Sequence, residues 1–186
     1  MRKLHLTIAF VALAMTAGVA SAGDEYQVVS GDSLYRIAKK YDCTGCVFIT
    51  DRDGKPDRVA NLQNGVARAT ELFPGFPMAF GVAWESVEAW ALGVPSAIAE
   101  VLGEEEKRIQ QQCPSGVHVE AMHENSGKED HRPKRLLERI ARSKGWPDSV
   151  EFRVAIAEKT DVSALEKACP QGFAPFARSL RSAFIP

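Results

Sequence analysis

The chain has 186 residues, with 23 basic and 24 acidic side chains, a formal charge of −1 and four cysteines. That near-neutral balance gives no polyanion-binding surface and argues against nucleic acid as a partner. The length suits one ordinary domain or two small ones.

The first 22 residues read as a secretory signal rather than as fold. Arg2 and Lys3 supply a positive start, and Leu4 to Val19 is mostly apolar. Ala20-Ser21-Ala22 places small residues before a cut at Gly23. The apolar run is short for a bilayer span of about 20 residues, so no stable membrane span is expected after cleavage. The residue just after the cut is Gly23 and not cysteine, so a lipid anchor is not indicated. The mature chain would carry 21 basic residues against 24 acidic ones, because the segment removes Arg2 and Lys3 only.

Tyr26-Gln27-Val28-Val29 reads as a short strand. Gly31 turns the chain, and Asp32 and Ser33 are good N-cap residues. Leu34, Ile37, Ala38 and Tyr41 follow at the spacing of one helix face. Cys43 to Asp57 reads as a loop broken by Gly45, Gly54 and Pro56. A second helix is expected from Asp57 to Asn64, with Gly65 ending it. Pro74-Gly75 marks a turn, and Phe76 to Val82 returns as a strand. The order is β-α-α-β.

Beyond Val82 the texture changes. Val87, Trp90, Ala91 and Val94 fall at helical spacing until Pro95. Ser96 caps a helix carrying Ile98, Val101, Leu102 and Ile109, with a solvated Glu104 to Gln112 stretch. Gly116 to Met122 is expected as a strand. Pro133 opens a helix with Leu136, Leu137, Ile140 and Ala141 on its inner stripe. Val150, Phe152, Val154 and Ile156 alternate strictly and are expected as a strand. Ser163 and Glu166 form a capping box for a short helix, and Phe173, Phe176, Leu180 and Phe184 mark a last amphipathic helix.

The run Tyr26-x-Val28-x-x-Gly31-Asp32-Ser33-Leu34-x-x-Ile37-Ala38-x-x-Tyr41 resembles the opening of LysM modules, small βααβ folds that bind N-acetylglucosamine polymers. Val59-Ala60-Asn61-Leu62-Gln63-Asn64-Gly65 is similar to their second helix, and Leu72-Phe73-Pro74-Gly75 leads into what resembles the closing strand. Phe76 stands where the family usually has Gln, and the link from Asp42 to Asp57 is longer than typical. The resemblance implies a groove with Gly31, Asp32, Ser33 and Leu34 on one wall. It puts Val66, Ala67, Leu72 and Phe73 on the other. The physics is compatible, since a glycan needs exposed backbone groups, short polar side chains and some apolar floor.

The expected class is therefore α+β: a βααβ module over residues 23–82 and a mostly helical α+β domain over 83–186. The expected partner is peptidoglycan or another N-acetylglucosamine polymer, and the expected location is the periplasm or cell wall. No cofactor, metal or catalytic group is assigned. Cys43, Cys46, Cys113 and Cys169 are disulfide candidates, as an even count in an oxidising compartment suggests. Three pairings exist; Cys43–Cys46 with Cys113–Cys169 keeps each bridge in one module. The second bridge would close about fifty residues, for about 4 kcal/mol. Two other classes stay open. A cell-wall hydrolase would need a catalytic half with no familiar motif. A metal or redox protein would use His118, Glu120, His123, Glu124 and His131, or Cys43-Thr44-Gly45-Cys46.

Overall fold

The computed structural model describes residues 45–52, 54–147 and 150–185. The expected strand and helix of Tyr26 to Tyr41, and Cys43, lie outside them. Described residues begin with strand β1, Cys46–Asp51. Helix α1, Asp57–Leu72, follows, and then strand β2, Met78–Ala83. The strands pair in parallel, Cys46 with Met78 through Asp51 with Ala83, so α1 is a crossover helix.

This corrects three expectations. The Cys43 to Asp57 stretch is not all loop: Val47-Phe48-Ile49-Thr50 is rich in β-branched and aromatic residues and forms β1, and the breakers act only after it. Helix α1 does not stop at Gly65. One glycine costs a helix about 1 kcal/mol, and the good helix formers after it carry the helix on. It ends at Leu72, ahead of Pro74 and a left-handed Gly75 at φ 83°. Strand β2 lies close to its expected place, but its described partner is β1, giving β-α-β where α-β was expected.

The rest of the described chain is helical. Helices α2 (Glu88–Leu92), α3 (Pro95–Leu102) and α4 (Glu106–Gln112) come first. Gly103, left-handed at φ 62°, ends α3, and its N–H reaches the Ala99 and Glu100 carbonyls. Single 3-10 turns form at Val119–Ala121 and Glu129–His131. Helices α5 (Pro133–Arg142), α6 (Val150–Lys159), α7 (Val162–Ala168) and α8 (Phe173–Phe184) complete the order.

Two expected strands are absent from it. Gly116 to Met122 carries the first 3-10 turn, in which Glu120 points inward and is 1 % exposed. Val150 to Ile156 is helix α6. Its alternating residues are not equivalent: Phe152 and Ile156, four apart, are buried, while Val150 and Val154 are 66 % and 49 % exposed. That is helical periodicity. The cap of α7 is Asp161, which accepts a hydrogen bond from the Ala164 N–H at 2.6 Å, rather than Ser163.

The core joins the helices to one face of the strand pair. Leu136, Leu137, Ile140, Phe152, Ile98 and Ile109 are its fully buried centre. Helix α8 lies on β2, where Ala79, Gly81 and Ala83 present little bulk. A Cβ on Gly81 would stand 2.7 Å from Phe176 Cγ, so glycine is what lets that ring sit on the strand. Phe176 stacks on Trp90 at 5.7 Å, and Phe173 meets Trp90 edge-on at 5.2 Å.

Candidate functional site

Ligands of parallel sheets gather beyond the carboxyl ends of the strands. Here that end holds a polar cluster that the sequence reading did not single out. Asp51 Oδ1 accepts from the Val87 N–H at 2.8 Å. Glu85 takes the Arg52 guanidinium on one oxygen and the Gly54 N–H, at 2.9 Å, on the other. Arg52 also lies 4.0 Å over the half-buried Trp84 ring. Ser86 donates to Glu88, whose other oxygen faces Arg153 at 3.4 Å. These carboxylates are engaged within the protein. The arrangement fastens the loop after β1 to the loop after β2.

A second polar device lies in the core. The Glu120 carboxylate accepts from the Gln171 N–H at 2.9 Å and from the Gly172 N–H at 2.7 Å, at the N-terminus of α8. Charge-assisted bonds to backbone N–H groups at a helix N-terminus suit a buried carboxylate. A Cβ on Gly172 would stand 2.9 Å from Glu120 Oε1 and 3.0 Å from Trp90 Nε1, so the clamp needs glycine there. His118 Nδ1 accepts from the Glu120 N–H at 3.3 Å. The turn thus sends Glu120 away from the loose histidine group. Among the described residues no three His, Cys, Asp or Glu side chains gather as a metal site.

Cys113 and Cys169 are free thiols, so the Cys113–Cys169 bridge expected from the count is not formed. They sit instead in apolar surroundings at the core. Burial pushes the Cys113 thiol up. Burial, and then the charge of Glu120, pushes Cys169 up to about 12. Both are protonated at neutral pH and are poor nucleophiles. A shallow apolar crevice of about 200 Å³ lies beside Cys113, lined also by Leu92, Gly93, Val117 and Met122. It is smaller than ligand pockets usually are.

The expected glycan groove is split by the bounds of the structure. Gly31, Asp32, Ser33 and Leu34 lie outside the described residues. Of the residues expected on the other wall, Val66 and Phe73 are half-buried, Ala67 is exposed, and Leu72 is 68 % exposed. All but Phe73 belong to α1, and Phe73 caps its end. The three tryptophans divide as well. Trp90 is core, and Trp84 and Trp146 are half-buried against Arg52 and Phe152.

Comparison with known proteins adds one result. Residues 26–46 match the family model of the LysM domain. No curated protein matches the chain, and no solved structure does. The match stops where β1 begins, which is also where the observed topology departs from βααβ. LysM domains point to N-acetylglucosamine-containing glycans as ligand. Among the described residues no helix is long and apolar enough to cross a membrane.

Proposed function

We propose that this protein, exported by its N-terminal segment, binds N-acetylglucosamine-containing glycan of the cell wall, peptidoglycan foremost. The observation that carries this is the LysM match at residues 26–46. Gly31, Asp32, Ser33 and Leu34 provide the first wall of the groove. Gly31 lets backbone approach the sugar, and Asp32 and Ser33 present short polar groups beside helix N–H donors. Val66, Ala67, Leu72 and Phe73 provide the second wall. The exposure of Ala67 and Leu72 supports this, since a sugar face needs accessible apolar surface. Affinity for a single site of this kind is about 0.1–1 mM, because a small polar groove buries little area.

The test is retention on insoluble peptidoglycan and on chitin. Wild type is expected in the pellet, more on peptidoglycan than on chitin. Asp32→Ala combined with Leu34→Ala is expected to lower retention at least fivefold. A folded double variant retained like wild type refutes the groove. A cleared zone when the protein is run in a peptidoglycan gel would replace a binding role with hydrolysis.

A further inference from the structure

The near-neutral total of the chain hides a local imbalance. Residues 132–144 hold six Lys and Arg side chains against one acid, Glu138. They carry +5 where the whole chain carries −1, so everything outside them sums to −6. Helix α5 turns this charge outward. Its apolar stripe of Leu136, Leu137, Ile140 and Ala141 is at most 1 % exposed and seats the helix on the core. Lys134, Arg135, Arg139, Arg142 and, just past the end, Lys144 are all exposed. Arg135, Arg139 and Arg142 stand four and three apart, in one row about 10 Å long.

Counter-charge on this side is thinly spread. Glu138 is shared by Arg135, at 3.2 Å, and Arg142. Glu104 is likewise shared by Arg108, at 3.3 Å, and Lys144. Arg139 meets a neutral partner, the Gln112 carbonyl at 3.3 Å, and Glu124 takes the backbone N–H of Lys134 at 2.7 Å. Helix stability does not ask for this arrangement. Cations suit the last turn of a helix and oppose its N-terminus, where acids are favoured. Arg139 and Arg142 follow that rule. The first turn breaks it, holding Lys134 and Arg135 and no acid.

We propose that the outer face of α5 is a docking surface for an anionic phospholipid bilayer. Arg135, Arg139 and Arg142, flanked by Lys134 and Lys144, lie against headgroup phosphates, which guanidinium groups bind through paired hydrogen bonds. Shape favours a bilayer over a polymer chain. The face is the convex outer side of a helix, whereas a polyanion is tracked along a groove. A flat sheet of charge needs only accessible cations within a Debye length of it. The glycan reading is not required for this. With it, one molecule holds wall glycan and a membrane surface together.

Vesicle sedimentation with the full mature chain tests the docking. At low salt, wild type is expected to pellet with vesicles of equal parts phosphatidylglycerol and phosphatidylcholine, and to stay in solution with phosphatidylcholine alone. Salt at about 0.5 M should release it. Lys134→Gln, Arg139→Gln and Arg142→Gln together should weaken partitioning about a hundredfold, at about fivefold per charge. Lys55→Gln, Arg68→Gln and Lys167→Gln remove the same charge from exposed positions elsewhere and should change it less than about threefold. If the α5 triple variant fails to fold, Lys134→Gln alone replaces it, with about a fivefold loss expected. Removing a cation from the first turn does not weaken the helix. Equal losses in the two triple variants, or wild-type partitioning of a folded α5 variant, overturn the docking. A wild type that ignores the anionic vesicles also overturns it, and binding to soluble polyphosphate would then give the face to a polymer. Retention on peptidoglycan reads the glycan claim separately. A wild type that fails there but partitions through α5 loses that function and keeps the docking.

Discussion

The two faces of the strand pair are built from different sizes of residue. On one, Ala79, Gly81 and Ala83 bring α8 down until the Phe176 ring rests on the Gly81 backbone. On the other stand the larger Phe48, Phe80 and Val82, and no residue of α1 is buried. Small residues on a sheet face let a helix approach the strand backbone closely. The small-residue face belongs to a core that runs through α2 to α8. Among the described residues the bulky face has α1 against it. Among the described residues, burial is therefore concentrated on one side of the two strands.

Substitutions can break that contrast. Phe152 is fully buried and packs against Trp146 at 5.5 Å. Phe152→Ala is expected to cost about 3–5 kcal/mol in a denaturant titration. A loss below about 1 kcal/mol would mean the helical side is not the anchor. The next effect depends on pH. Cys169 rises from an ordinary 9.0 to about 12 through burial first and the Glu120 charge second. The folded protein holds that proton more tightly than the unfolded chain does. The stability involved is complete below pH 9.0 and is lost as pH climbs toward about 12. Unfolding free energy should fall by about 3 kcal/mol by pH 11. Cys169→Ala should remove that part of the slope, and an unchanged slope would place the alkaline loss elsewhere. The smallest effect is a gain on the other side. Gly65 is exposed in the middle of α1, and an added Cβ would meet nothing within 4 Å. Gly65→Ala should raise stability by about 0.5–1 kcal/mol. A decrease would show that position 65 is covered in the full chain.

Much of the helical half was legible from residue spacing. Pro133 with Leu136, Leu137, Ile140 and Ala141 yields α5 as expected, with all five buried. Phe173 to Phe184 yields α8. Short segments defeated the same reasoning. Val150 to Ile156 fits a strand and a helix equally well on sequence, and only the burial of Phe152 and Ile156 together decides it. Strand β1 was hidden by its neighbours, because Cys46, Gly54 and Pro56 drew the reading toward a loop. Parallel pairing was not legible at all, since register between strands about thirty residues apart depends on tertiary contacts. In the site, the Asp32-Ser33 opening is a local motif and reads directly. The Glu85 and Glu120 locks join residues far apart in sequence, and isolated acids among 24 carry no mark of such a partner.

The order in which the chain is made has a bearing on the Gly81 contact. Strand β2 ends at Ala83, but the helix that covers it begins at Phe173. Its clamp, Glu120 to Gly172, also reaches across some fifty residues. Until Phe173 to Phe184 has been made, the small-residue face of β2 lacks helix α8. A copy cut short before Phe173 would leave Ala79, Gly81 and Ala83 without the helix that covers them. Helix α8, the last described, is thus tied to a strand formed about ninety residues earlier.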